Sequence, residues 1–259
     1  MKKSFALLVV CMLVIGLLAG CGGGDKKPAA PAAPAADKKV FVNIATGGTA
    51  GVYYPLGGAM AEIFNKNIPG MNASAQSTGA SVANINLIKD GKVEVALVQN
   101  DIAYYAANGT EMFKDKKVEA IQGIASLYNE TIQIVTIEGK GIKTVADLKG
   151  KRVAVGALGS GTEANARQIM EIFGITYADI KPQYLSFGEA ANGLKDGNID
   201  VAFVTAGAPT AAIQDIAAQH KVALVSVPAD KAEALIKKYP FYAKQTIKGK
   251  TYPTVTEDV

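Results

Sequence analysis

Two hydrophobic rhythms alternate along the chain. Short runs of Val, Ile and Ala on successive positions mark strands covered on both faces, while apolar residues three or four apart mark helices. They predict a strand near 40–46, a helix over 52–67, a strand near 71–76, a helix over 81–90, a strand over 93–98 and a helix over 101–108. Strands near 120–127 and 131–137 follow, then a short helix at 144–149, a strand over 151–156 and a helix over 162–173. A helix over 188–196, a strand over 199–204, a helix over 209–219 and a strand over 221–227 complete the pattern. Such alternation predicts an α/β architecture with largely parallel sheets.

The pattern also runs twice. Val42-Asn-Ile-Ala-Thr-Gly47-Gly48-Thr49-Ala-Gly51-Val-Tyr53-Tyr54-Pro55 is a strand, a glycine turn and a helix start, and Arg152-Val-Ala-Val-Gly156-Ala-Leu-Gly159-Ser160-Gly161-Thr162-Glu163 has the same order. Lys89-Asp-Gly91-Lys-Val-Glu94-Val-Ala-Leu-Val98 is echoed by Lys195-Asp-Gly197-Asn-Ile-Asp200-Val-Ala-Phe-Val204, each a helix end, a Gly cap and a short buried strand. Two half-chains of this kind predict two lobes facing one another, lobe 1 over 40–138 and lobe 2 over 139–250. The glycines and polar residues of Glu138–Gly141 suggest the break.

The first 39 residues stand apart from this pattern. Lys2 and Lys3 precede an apolar run from Phe5 to Leu18 that is short for a membrane span and ends in Leu18-Ala19-Gly20-Cys21. That arrangement looks like a bacterial lipoprotein signal over 1–20 with Cys21 as the lipidated residue. It predicts an extracytoplasmic protein anchored at a membrane surface. Residues 21–39, rich in Ala and Pro, read as a tether that cannot bury a core.

Composition narrows the chemistry. Cys11 and Cys21 are the two cysteines, so the body has no thiol for a disulfide, a nucleophile or a metal site, and no metal-ligand spacing is visible. Removing Lys2 and Lys3 takes the formal charge from +4 to +2, with Arg152 and Arg167 as the arginines. A nucleic-acid partner would need a concentrated basic face, and none is present. His220, the single histidine, follows a predicted helix and has no serine beside it, which disfavours a hydrolytic triad. The turn Gly159-Ser-Gly-Thr-Glu163 lacks the Gly-Lys-Ser/Thr of a phosphate loop, which disfavours nucleotide hydrolysis. No cofactor is implied, and the chain does not read as an enzyme.

The candidate binding groups sit at turns that open helices, where unpaired N–H groups and the helix dipole favour an anion. Ser77, Thr78, Gly79 and Ser81 form such a turn, its hydroxyls serving either as caps or as ligand contacts. Ser160 and Glu163 fit a capping box; alternatively Glu163 faces the cleft and favours a ligand carrying an amino group. Gln99 and Asp101 follow one repeated strand, and Thr205 and Gly207 the other, so both loops point to the place where open α/β sheets bind ligands. Tyr53 and Tyr54 are adjacent on one helix, so one would face the cleft and the other the core.

The runs Ala45-Thr-Gly-Gly-Thr-Ala-Gly-Val-Tyr-Tyr-Pro55, Glu94-Val-Ala-Leu-Val-Gln-Asn-Asp101, Gly159-Ser-Gly-Thr-Glu163 and Asp200-Val-Ala-Phe-Val-Thr-Ala-Gly207 resemble the TAXI solute-binding proteins of TRAP transporters. The resemblance implies a type II periplasmic-binding-protein fold, each lobe a mixed, mostly parallel sheet flanked by helices. It implies capture of a small carboxylate such as glutamate and delivery to integral-membrane TRAP subunits. A binding module reporting to a sensor kinase or chemoreceptor is the alternative. Carried onto this chain, the binding residues are Gly48, Thr49, Gly51, Tyr53, Thr78, Gly79, Gln99, Asp101, Ser160, Gly161, Thr162, Glu163, Thr205 and Gly207. Family members continue with a segment that returns to the first lobe; residues 251–259 match the start of that crossing, which suggests that the return segment is missing. Amides and hydroxyls, not the two arginines, are expected to hold the carboxylate.

Overall fold

The computed structural model describes residues 39–259. The expected signal peptide, Cys21 and nearly all of the tether therefore lie outside the described residues. The body is built on two sheets. In the first, β1 (Val40–Ala45) lies between β2 (Met71–Gln76) and β3 (Val95–Ala96), all parallel. In the second, β4 (Thr131–Ile137), β5 (Arg152–Ala154), β6 (Lys181–Gln183), β7 (Val201–Ala206) and β8 (Val222–Leu224) stand in the order β6-β5-β7-β4-β8. Strands β5, β6 and β7 run parallel, and β4 runs antiparallel to both β7 and β8.

Among the described residues, seven α-helices flank the sheets: α1 (Tyr53–Asn67), α2 (Ser81–Lys89) and α3 (Asn100–Asn108) with the first, and α4 (Gly161–Ile172), α5 (Phe187–Lys195), α6 (Ala211–Ala217) and α7 (Ala229–Lys238) with the second. Helices α1 to α6 lie within about two residues of their predicted bounds. Strand β6 and helix α7 fall outside the predicted set. The segment predicted as a strand over 120–127 pairs with no other strand, and Ile124 and Leu127 are exposed there. Residues 144–149 form a 3-10 turn over Val145–Leu148.

The internal repeat survives as geometry. Gly91 and Gly197 adopt left-handed φ of 65° and 72° just after α2 and α5, a conformation that ends a helix at no steric cost to glycine. Beyond them, Glu94 accepts a hydrogen bond from Asn43 N at 2.7 Å and Asp200 accepts one from Arg152 N at 2.9 Å. Glu94 thus ties the start of β3 to β1, and Asp200 ties the start of β7 to β5. Asp200 adds a fork to the Arg152 guanidinium, which holds its carboxyl down to about 2.

Strand β4 pairs along six residues with β7 and so belongs to the second sheet, and the chain passes into that sheet through 119–130. The glycines at 139 and 141 make only the turn leaving β4. Within residues 251–259, Tyr252 and Thr254 pack on the second sheet's core. Tyr252 is fully buried there beside Ile213 and Ala202, its hydroxyl bonded to Gln133 and accepting Thr210 N at 2.9 Å, while Thr254 bonds the backbone of Val222.

One glycine sets how closely α1 lies on its sheet. A Cβ on Gly57 would overlap Thr46 Cγ2 and touch Ala75 and Ile44. In an open helix, Gly→Ala adds up to about 1 kcal/mol of stability. Here the overlap wins, and Gly57→Ala is expected to lower unfolding free energy by about 1–3 kcal/mol, measured by urea titration.

Candidate functional site

The two sheets deliver their glycine turns to one cleft. Its wall from lobe 1 is the turn Gly47, Gly48 and Gly51 with Val52 and Tyr53 at the start of α1, joined by Thr78, Gly79, Ala80 and Gln99. Lobe 2 contributes Ala157, Ser160 and Thr162 at the start of α4, with Ser186, Phe187, Thr205 and Ala206. Tyr128 and Glu130, on the crossing segment, complete the lining. The cavity between these walls has a volume of about 50 Å³ and is partly open to solvent.

The lobes touch on both flanks of this space. Val82 and Ala83 N–H, in the first turn of α2, both donate to Gly159 O at 3.1 Å. The carbonyl of the second-lobe turn therefore caps α2, and the N-terminus expected to meet a ligand is already occupied. Ala80, which precedes α2, holds a strained φ of 70° at that contact. Thr78 is likewise used internally, with Oγ1 2.8 Å from Thr46 O and 2.6 Å from Asn84 Oδ1. Its turn is structural as well as lining.

A buried polar cluster on α3 and α4 makes the second contact. Asn165 Nδ2 donates to Asp101 Oδ2 at 3.0 Å and lies 2.8 Å from Tyr242 Oη, and Asn165 Oδ1 accepts from Gln99 Nε2 at 2.8 Å and from Thr205 Oγ1 at 3.1 Å. Gln168, one turn on, donates to Tyr105 Oη at 3.2 Å and bonds Tyr242. Burial pushes the Asp101 carboxyl above its usual range, against the pull of bonds from Ile102 N and Asn165. Asn165 joins both lobes, yet nothing in the local sequence marks it. A polar residue between two alanines on a helix reads as a solvated face; only the packing of α3 against α4 buries it.

Of the expected residues, Gly48, Gly51, Tyr53, Thr78, Gly79, Gln99, Ser160, Thr162 and Thr205 line the cleft. The other five do not. Thr49 is exposed on its turn. Asp101 is spent on Asn165 and its own helix start. Gly161 lies beneath Gln99, where a Cβ would overlap the side-chain amide. Gly207 faces Tyr128 and Val52 behind the lining. Glu163 turns away: its Oε1 accepts from Tyr177 Oη at 2.6 Å and lies 3.8 Å from Arg167 Nε. The cap reading holds for Ser160, whose Oγ accepts Glu163 N at 3.1 Å. Tyr54, expected in the core if Tyr53 faced the cleft, is 37% exposed.

Electrostatically the cleft is nearly neutral. Arg152 is paired with Asp200 and Arg167 with Glu111 and Glu163, and neither lines it. The residues of α4's start that do line it are Ser160 and Thr162, whose hydroxyls can donate. Among the described residues, Glu130 is the one carboxylic acid in the lining. Burial raises its carboxyl to about 7, with the nearby hydroxyls of Tyr53 and Tyr128 opposing the rise and the Asp101 charge adding to it. Tyr128 Oη donates to Glu130 Oε1 at 3.1 Å. Tyr53 Oη, close to Glu130 and Ser81, is buried without a hydrogen bond.

Comparison with known proteins agrees with this architecture. The alkanesulfonate-binding protein SsuA from Xanthomonas axonopodis pv. citri, bound to MOPS, superimposes with a TM-score of 0.50 at 18% identity, over 74% of this chain and 62% of its own. The chain thus spans less than two thirds of that protein's length. A putative L-cystine transporter protein from Listeria monocytogenes gives 0.50 at 19% identity, over 71% and 76%. A Bordetella bronchiseptica RB50 protein gives 0.52 at 18% identity, over 78% and 67%. At these identities the likeness is one of fold, and the fold is that of type II periplasmic binding proteins: parallel-rich sheets flanked by helices. With its two glycine turns on one cleft and a family model matching residues 44–259, the chain belongs to the NMT1-like family.

Proposed function

We propose that the chain is the lipid-anchored, extracytoplasmic solute-binding protein of a TRAP-type transporter, of the TAXI kind. It captures a small carboxylate, glutamate or a related amino or dicarboxylic acid, and hands it to the membrane subunits without chemistry of its own. One observation carries this reading: the Gly48–Gly51 turn and the Ser160–Thr162 helix start, distant in sequence, line a single cleft. Amides at the head of α4 and the hydroxyls of Ser160 and Thr162 supply donors for an oxyanion in a partly desolvated space. The crossing through 119–130 serves as the hinge about which the lobes close.

Calorimetric titration of residues 39–259 against glutamate, glutamine, 2-oxoglutarate and C4-dicarboxylates tests the proposal. Binding of at least one acid is expected, with a dissociation constant in the micromolar range, equivalent to about −8 kcal/mol. Absence of heat with every acid, under conditions where the protein is folded, would remove the proposal.

A further inference from the structure

Building on the carboxylate-binding reading of the cleft, we infer that Glu130 selects among acids by pairing with an ammonium group, so that the ligand is an amino acid and not its deaminated counterpart. Glu130 stands in the lining with no lysine, arginine or histidine beside it there. A carboxylate in that position repels a second negative charge and leaves its own charge uncompensated until a cation arrives. The groups that face it are Tyr53 from α1, Tyr128 from its own segment and, at longer range, Asp101 from α3. None is positive. Tyr128 Oη already donates to Oε1, which orients the carboxyl and leaves Oε2 for another donor.

Tyr53 supplies an independent sign of a ligand. Its hydroxyl is buried and unpartnered, and its ring lines the same cleft, edge-on to Tyr128 with centroids 6.5 Å apart. A buried hydroxyl without a partner is uncommon in folded proteins. The two rings frame Glu130 as an acceptor pocket on the crossing segment. Elsewhere in the same lining, Ser160 and Thr162 at the head of α4 offer donors to an oxyanion. A molecule bearing an ammonium at one end and a carboxylate at the other satisfies both. A dicarboxylate without an amine satisfies one.

Protons report the pairing. The free carboxyl titrates near 7, so at that pH it is about half protonated, and an ammonium against it favours the ionised form. Binding of an amino acid at pH 7 should therefore release about half a proton, rising towards one near pH 5.5 and vanishing by about pH 9. Affinity should weaken as pH falls below 7, because the acceptor must first be deprotonated. Tyr128→Phe, which removes a bond to the ionised form, should move that weakening to higher pH.

The test is calorimetry with glutamate, glutamine and valine, each against its 2-oxo acid, in buffers of different ionisation enthalpy. The wild-type protein is expected to prefer an amino acid over its 2-oxo acid at least tenfold and to release protons. Glu130→Gln keeps the shape and the Tyr128 bond; it is expected to weaken amino-acid binding thirtyfold or more and to erase the preference. Folding is monitored separately. A carboxyl raised in the folded state costs stability as pH climbs from the unfolded value through 7, so Glu130→Gln should melt above wild type at pH 8, the gap closing by pH 5. Retention of the amino-acid preference by folded Glu130→Gln, or proton uptake on binding, overturns the role of Glu130 alone. A wild-type protein that binds none of the six acids overturns the carboxylate reading and this assignment with it.

Discussion

Asn165→Ala is expected to melt about 5–15 °C below the wild-type protein. The substitution withdraws one side chain from four partners at once: Asp101, Gln99, Thr205 and Tyr242. Asp101 is buried, and losing the donor to its carboxylate leaves a poorly solvated charge with only the N–H of Ile102 as support. Stranding buried polar and charged groups costs about 2–4 kcal/mol in total. For a body of this size each kcal/mol moves the melting temperature by about 2–4 °C. Asp101→Asn should cost much less, because it removes the charge that burial disfavours while keeping an oxygen for Asn165. Differential scanning calorimetry of both variants at pH 7 decides the matter. An Asn165→Ala protein melting within 2 °C of wild type would show that the lobes are held by other contacts.

The second large effect concerns binding. Gly161→Ala places a methyl where the Gln99 amide now lies. The obstacle is the end of a flexible side chain, so the backbone can stay and Gln99 yields, leaving Asn165 and entering the cleft that it lines. The loss of one buried hydrogen bond costs about 1 kcal/mol of stability. The loss in the cleft is larger, since the displaced amide competes with the ligand for space and donors; affinity is expected to fall about 10- to 100-fold, or ~1.4–2.8 kcal/mol. Gly48→Leu attacks the same closure from the other wall, where a Cβ would already sit 3.4 Å from Ser186 Cβ. Titration with whichever acid the wild-type protein binds best, alongside melting curves, separates the two quantities. Unchanged affinity in both variants would mean that the ligand does not enter between these turns.

Both variants show why some of the site was legible and some was not. The glycine turns could be read because their purpose is local: backbone that must turn sharply beneath a helix start excludes side chains. Gly156 illustrates it, with a φ of 103° and a Cβ that would meet Ser160 Oγ at 2.8 Å and Thr162 Cβ at 2.9 Å. The carboxylates were harder. Glu163 sits in the right motif yet points to Tyr177, and Glu130 sits in no motif yet lines the cleft. Which way a side chain faces depends on what packs against it, and Tyr177 is supplied from beyond the end of α4. Strand β4 follows the same rule. Its apolar residues mark it as a strand, but membership of the second sheet comes from pairing with Val201–Ala206, some seventy residues on.

The amino-acid order by itself determined the alternation of strands and helices, the twofold repeat and the helix-opening turns, because each depends on hydrophobic period, glycine conformation and capping within a few residues. Only the tertiary structure decided which sheet β4 joins, that Gly159 O closes the N-terminus of α2, and that Asn165 and Glu130 occupy the contact and the cleft. Those outcomes depend on partners that chain folding brings from 60 or more residues away, and no periodicity encodes which buried donor meets which buried acceptor.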